Sequence, residues 1–179
     1  MAADPPPGIE GMKTLLVMRH AKSDWSADYG ADHERPLNDR GVRSARRMGR
    51  VLTDHGLVPD LIVASTAVRA RSTATLANEA GEWGSKIELE PSLYGSGTET
   101  AIQVAAAAPD VARLMLIGHQ PTWSMLVSVL TGDRVEMKTA TVAAIDFEVG
   151  AWRDVATARG QVVAVFQPRD YRDTESEEG

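Results

Sequence analysis

The stretch TLLVMRHAKSDWS, residues 14–26, decides how the rest of the chain is read. The segment Lys13 to Met18, which overlaps its first half, is a short apolar run of the kind that forms a strand covered on both faces. It breaks off at Arg19-His20, a charged pair followed by small and polar residues. A strand covered on both faces belongs to a mainly parallel sheet between helices, and such sheets place ligand sites at the carboxyl ends of their strands. Arg19 and His20 therefore stand where a site is expected.

The flanking sequence supports that sheet. Asn38 stands as an N-cap, and Asp39 to His55 reads as a helix with Val42, Ala45, Met48, Val51 and Leu52 on one stripe and Gly56 as its C-cap. Asp60 to Ala64 reads as a second strand, about 67–80 as a helix, and Lys86 to Glu90 as a weakly alternating third strand. Ser96 and Glu99 have capping-box spacing before an alanine-rich helix that ends ahead of Pro109. Arg113 to Ile117 is a further apolar strand, and Pro121 to Leu130 a helix with proline in its first turn. Thr141 to Val149 and Gln161 to Phe166 read as two closing strands joined through a loop that contains Gly150 and Gly160. The expectation is an α/β fold: three layers, α/β/α, with a mostly parallel central sheet and an antiparallel edge.

Composition bounds the function. The chain has 179 residues, 43% hydrophobic and 25% charged, and is expected to form a single domain over 13–168. Residues 1–12 read as a flexible leader, with Met12 an alternative start to Met1, and 169–179 as an acidic, disordered tail. No run approaches the length of a membrane span, and the start has no basic segment followed by an apolar one, so neither a membrane protein nor a secretory signal is expected. The chain has no cysteine, which fits a reducing compartment, and the cytoplasm is the expected location. The formal charge is −6; Asp173, Glu175, Glu177 and Glu178 account for four of those charges, which leaves the body near −2. A nearly neutral body is not a nucleic-acid platform. A monomer is the default expectation.

Three strand ends carry chemistry. The first ends in Arg19-His20, the second runs into STAVRAR with Arg69 and Arg71, and the fourth ends in Gly118-His119. If these strands are parallel neighbours, two histidines and arginines converge on one rim. Arginine offers a planar fork of donors matched to phosphate oxygens, and a neutral histidine ring nitrogen is a competent nucleophile. His20 is accordingly expected to attack phosphorus in line and form a phosphohistidine that water hydrolyses, with Arg19, Arg69 and His119 stabilising the equatorial oxygens. Arg69 and Arg71 lie two apart on a helix, so one should enter the pocket and the other face solvent. His33 and His55 are expected to be solvated or structural. No metal or other cofactor is expected: no two histidines show ligand spacing, and arginines would repel a cation. There is no Walker loop, no dinucleotide fingerprint and no GxSxG.

RHAKSDWS, RPLNDRG, STAVRARST and LMLIGHQP, in that order over residues 19–121, resemble the motifs of the histidine phosphatase (phosphoglycerate mutase-like) superfamily. RPL, STAVRAR, GHQP and KTATVAAIDF look most like its SixA-type phosphohistidine phosphatases. The resemblance implies a phosphoglycerate mutase-like fold, His20 as nucleophile, and Arg19, Arg69 and His119 as the phosphate pocket, with Arg71 outward. Three departures stand out. Ala21 replaces the signature glycine, which is tolerable where the backbone is not left-handed. Ser26 occupies the place of a phosphate-binding asparagine and is a candidate substrate contact. Tyr94-Gly95 stand where mutases and many phosphomonoesterases carry a glutamate proton donor, and Gln120 follows His119 where acid phosphatases carry aspartate.

An alkoxide leaving group needs a proton, a contribution of roughly 10²- to 10⁴-fold, whereas a phosphorylated imidazole leaves as neutral imidazole once its ring is protonated. The missing acid thus favours a metal-independent phosphatase acting on phosphohistidine in a partner protein. One alternative is a small-molecule phosphomonoesterase drawing a proton from Asp24, Asp28, Asp32 or Glu34. Another is a phosphate- or phosphoprotein-binding module without turnover.

Overall fold

A computed structural model describes residues 11–174. Among them, six strands form one sheet in the order β3-β2-β4-β1-β5-β6. The strands are β1 Lys13–Arg19, β2 Leu61–Ala64, β3 Lys86–Leu89, β4 Arg113–Gly118, β5 Val142–Phe147 and β6 Gln161–Phe166. The neighbours from β3 to β1 pair parallel, while β5 and β6 add antiparallel to the edge. The expected α/β fold, mostly parallel with an antiparallel edge, is the fold observed.

The apolar run of β1 works as a two-sided strand. Leu15 and Val17 point into a core with Trp123, Leu126 and Leu130, whereas Leu16 and Met18 point into a second core with Ala45, Met48 and Leu52. Helices α1, Asp39–Asp54, and α2, Val68–Ala80, cover that second face; α3, Thr98–Ala106, and α4, Thr122–Thr131, cover the first. Fully burying a Leu or Met side chain stabilises by about 1.5–3 kcal/mol, so two closed cores on one short sheet suffice for a stable layer structure.

The capping of α1 follows the sequence: the Asn38 side chain accepts the Gly41 N–H at 2.8 Å. The box expected from Ser96 and Glu99 does not form. Gly97 is the N-cap of α3, without a side-chain cap bond. The Ser96 carbonyl accepts the Thr122 hydroxyl instead. Pro121 stands one residue before α4, as its cap. The loop between β5 and β6 carries a short 3-10 turn, Trp152–Ala156, whose buried Trp152 donates to the Val111 carbonyl at 2.7 Å. Among the described residues no helix is long and apolar enough to cross a membrane.

The described residues extend past 169, where the tail was expected to begin. Pro168–Thr174 form a 3-10 stretch that packs on α1, and the Tyr171 and His55 rings meet edge to face at 6.1 Å. An aromatic at position 171 gives this segment apolar surface to bury, which the acidic residues after it lack. The expected leader, up to residue 10, and the tail from 175 lie outside the described residues.

Candidate active site

Register makes the site. In the parallel pairing of β1 with β4, Arg19 lies opposite Gly118, so the next residue of each chain, His20 and His119, leaves the sheet side by side. Their ring centroids are 5.2 Å apart. The His20 N–H donates to the Gly118 carbonyl, which ties the two strand ends together. Gly118 itself is required by packing: a Cβ there would stand 2.5 Å from the buried Trp123 ring.

His20 is 7% exposed. Its Nδ1 lies 2.7 Å from the Ala21 carbonyl. A carbonyl only accepts, so Nδ1 carries the proton and Nε2 keeps its lone pair. Burial, with the positive charges of Arg69 and Arg19 adding to it, lowers the His20 pKa to about 3, which keeps the ring neutral. Ala21 is not left-handed; among the described non-glycine residues only Glu82 and Ala140 have positive φ. Its buried methyl and its N–H bond to Thr73 Oγ1 at 3.0 Å fix the backbone on which His20 sits.

His119 is held by Ser65, whose Oγ is 2.8 Å from Nε2. Ser65 Oγ accepts the Ala67 N–H at 3.3 Å, and its own proton is assigned to Nε2, an assignment that places the His119 proton on Nδ1. Burial lowers the His119 pKa to about 4, with Arg69 contributing. Arg69 is 6% exposed while Arg71 is exposed, so the helix start divides the two arginines as expected. Arg19 Nη1 donates to the Met137 carbonyl at 3.1 Å. Arg19 Nε, Arg69 Nε and His119 Nδ1 are buried without a hydrogen-bond partner, three donor nitrogens around one histidine. Buried donors of this kind are costly unless something accepts from them. An anion of tetrahedral shape would do so.

The cavity of about 460 Å³ is lined by Arg19, His20, Arg69, His119 and Gln120 together with residues the sequence did not single out, among them Lys22, Arg35 and Lys138. Arg35 is 4% exposed; its Nε donates to Ser23 Oγ at 2.9 Å and its guanidinium pairs with Asp32. Its position inside RPLNDRG is the signal that could have marked it. Ser26 does not join them. It is exposed, and its hydroxyl donates to Asp24 Oδ1 at 2.7 Å.

The four carboxylates of the loop after β1 have separate fates. Asp24 holds Ser26, and Glu34 lies 3.1 Å from His33 Nδ1. Asp28 is exposed and outside the cavity lining. Asp32 alone reaches the site residues, accepting from Arg69, Arg35 and the Tyr94 hydroxyl. The Tyr94 hydroxyl first, then the two arginines, hold its carboxyl at about 2. It is therefore ionised and has no proton to give near neutrality. Among the described residues no group of three or more His, Cys, Asp or Glu is arranged to hold a metal ion.

Comparison with known proteins agrees with this geometry. Residues 15–95 match the family description of the histidine phosphatase superfamily, branch 1. An uncharacterized protein of Mycobacterium tuberculosis is 34% identical over 163 residues, covering 85% of this chain and the whole of that one. A structure from Nakamurella multipartitia, assigned as the phosphohistidine phosphatase SixA, superposes with a TM-score of 0.76 at 30% identity, over 88% of this chain and 97% of that one. One from Agrobacterium tumefaciens with the same assignment gives 0.76 at 27% identity, over 87% and 98%. With the motif residues gathered at one rim and the likeness running through nearly the full length of these proteins, the chain belongs to the histidine phosphatase superfamily, in its SixA-type group.

Proposed function

We propose that this protein is a metal-independent phosphatase that hydrolyses phosphohistidine in a partner protein through a covalent intermediate on His20. The observation that carries this is the Nδ1 bond of His20 to the Ala21 carbonyl, which leaves Nε2 as a neutral nucleophile among unpartnered donors of Arg19, Arg69 and His119. Nε2 attacks phosphorus in line; the bond from phosphorus to the substrate imidazole breaks, and that imidazole, protonated on its other nitrogen, leaves neutral. Water then attacks phosphorus, the bond to Nε2 breaks, inorganic phosphate departs with the hydroxyl, and the water's other proton passes to solvent. Arg19, Arg69 and His119 bind the equatorial oxygens in both steps, each such donor contributing roughly 10²- to 10³-fold. No role in binding is proposed for Ser26.

The acid that is missing supports this substrate class. Asp32 is held ionised at about 2, so the loop offers no proton to an alkoxide, and a leaving group that needs little help is favoured. The location proposed is the cytoplasm, and the state a monomer.

The test is incubation with a phosphorylated histidine-containing phosphotransfer domain beside a panel of sugar and nucleotide phosphates. Release of phosphate from the domain, with a trapped phosphoenzyme that disappears in His20→Ala, is the expected outcome. Hydrolysis confined to the panel would overturn the phosphohistidine substrate, and binding without any phosphoenzyme would overturn turnover itself.

A further inference from the structure

A second cavity of about 560 Å³ opens beside the first, and the two share Lys22, Lys138 and Thr139. One wall is α1, where Arg40, Arg43 and Arg47 fall at helical spacing on one face. The other is the segment after β6, with Arg169 and Arg172. Five arginines and two lysines line this groove, and none of its lining residues is acidic. On a chain of net charge −6 such a one-sign groove is a local departure from the whole. The phosphoryl group does not account for it, because the site cavity already has Arg19, Arg69 and Arg35.

We infer that this groove docks an acidic surface of the substrate protein next to its phosphohistidine, a reading that rests on the protein substrate proposed above. Charge complementarity selects the partner's sign, and an arginine-rich wall offers planar forks for carboxylates. A macromolecule rather than a small polyanion is indicated by Trp25, which lines the mouth of the site cavity, is 71% exposed, and has the Arg35 guanidinium 3.5 Å from its ring centre. An exposed tryptophan stacked on an arginine is the kind of anchor that protein interfaces bury. Lys22 and Lys138 bridge the two cavities, so a protein whose phosphohistidine enters the first would lay neighbouring carboxylates in the second.

The charge-reversal variant Arg40→Glu/Arg43→Glu/Arg169→Glu alters three exposed side chains that are not part of the catalytic pocket. Two substrates are compared: a phosphorylated histidine-containing phosphotransfer domain whose histidine is flanked by Asp and Glu, and free phosphohistidine. The variant should lose about 10- to 100-fold in kcat/KM on the domain, mainly through KM, and should lose the steep salt dependence of the wild type. Free phosphohistidine should be turned over within about twofold of wild type, since its binding draws on the short-range donors of the first cavity. Titrating the unphosphorylated domain into each protein reads the groove apart from chemistry, with salt-sensitive binding expected for the wild type alone. Equal binding or equal kcat/KM on the domain for both proteins overturns the docking role. An equal loss on both substrates also overturns it, by making the groove part of a small-anion site. A wild type that binds the domain in a salt-sensitive way yet cleaves only free phosphohistidine keeps the groove and removes the protein substrate.

Discussion

Asp32 grips Arg69 twice, through its carbonyl to Nη1 at 2.9 Å and through its carboxylate to Nη2 at 3.1 Å. The grip leaves Arg69 Nε unpartnered and aims a buried guanidinium from the start of α2. Asp32→Ala should therefore fold, since that side chain is half exposed, and lose about 10- to 100-fold in kcat/KM as the donor loses its orientation. Arg69→Ala, which removes the donor outright, should lose roughly 10²- to 10³-fold, while Arg71→Ala stays within about twofold. Steady-state kinetics on folded variants checks the order; an unimpaired Asp32→Ala would remove the clamp from the argument.

Burial lowers the pKa of His20 to about 3 and of His119 to about 4, against an ordinary value of 6.5. Both rings are then neutral throughout the neutral range, and the enzyme's own acid limb in kcat/KM should fall near pH 3–4 rather than near 6.5. Stability has the same sign. Below 6.5 the unfolded chain takes up protons that the folded one refuses, so stability is complete above that pH and declines as pH falls toward 4 and 3. His20→Gln should lose less in Tm between pH 7 and 5 than the wild type does. A wild-type midpoint for activity near 6.5 would contradict the proposal of a buried, neutral His20 as nucleophile.

How much of this was legible in advance depended on range. The strand ending in Arg19-His20 and the fourth strand, ending in Gly118-His119, were readable because each is a local pattern, and register alone then brings the histidines to 5.2 Å. The division between Arg69 and Arg71 followed from helical geometry. The Asp32 clamp was not readable: it joins residues 37 and 62 positions apart, and it depends on a 3-10 turn, Asp32–Glu34, that has no periodic signal. Ser26 misled because its spacing resembles a known motif while its hydroxyl has a nearer partner in Asp24. The Ser96 box failed for a similar local reason, Gly97 taking the cap position one residue later.

Tyr94 stands where a glutamate donor would be, and its hydroxyl donates to Asp32 at 2.8 Å. The Asp32 carboxylate raises the tyrosine's pKa, so the proton is committed and Tyr94 is a poor general acid. Tyr94→Phe should cost less than about tenfold, through a looser Asp32. A loss of about 10²-fold or more on a phosphate ester, with the phosphohistidine domain unaffected, would instead make Tyr94 the acid.

In the proposed mechanism the charges of Arg19 and Arg69 take the place that a bound cation fills in other phosphatases. Activity on the phosphorylated domain should therefore survive excess chelator within about twofold and gain nothing from added Mg²⁺ or Mn²⁺. Loss in chelator with recovery on one of these ions would overturn the mechanism.

Gly41 tests the scaffold behind the site. A Cβ there would lie 2.1 Å from the Lys22 carbonyl oxygen, a backbone atom that cannot swing aside. That carbonyl already accepts the Asn38 N–H at 3.0 Å, while the Asn38 side chain caps α1 through the Gly41 N–H. One methyl group therefore pushes on the loop that runs from His20 through Ala21 to Ser23 and Arg35, and on the start of α1 as well. Gly41→Ala should lower stability by about 1–3 kcal/mol, the usual cost of forcing atoms into a filled space. The displaced loop should also reduce turnover in the fraction that remains folded, because His20 Nδ1 depends on the Ala21 carbonyl for its orientation. Arg46→Ala, on the exposed face of the same helix, serves as the control and should change neither. Thermal unfolding and turnover of the two variants decide the matter: a Gly41→Ala protein with wild-type Tm and activity would show that the loop yields without cost, and that RPLNDRG has no part in holding His20.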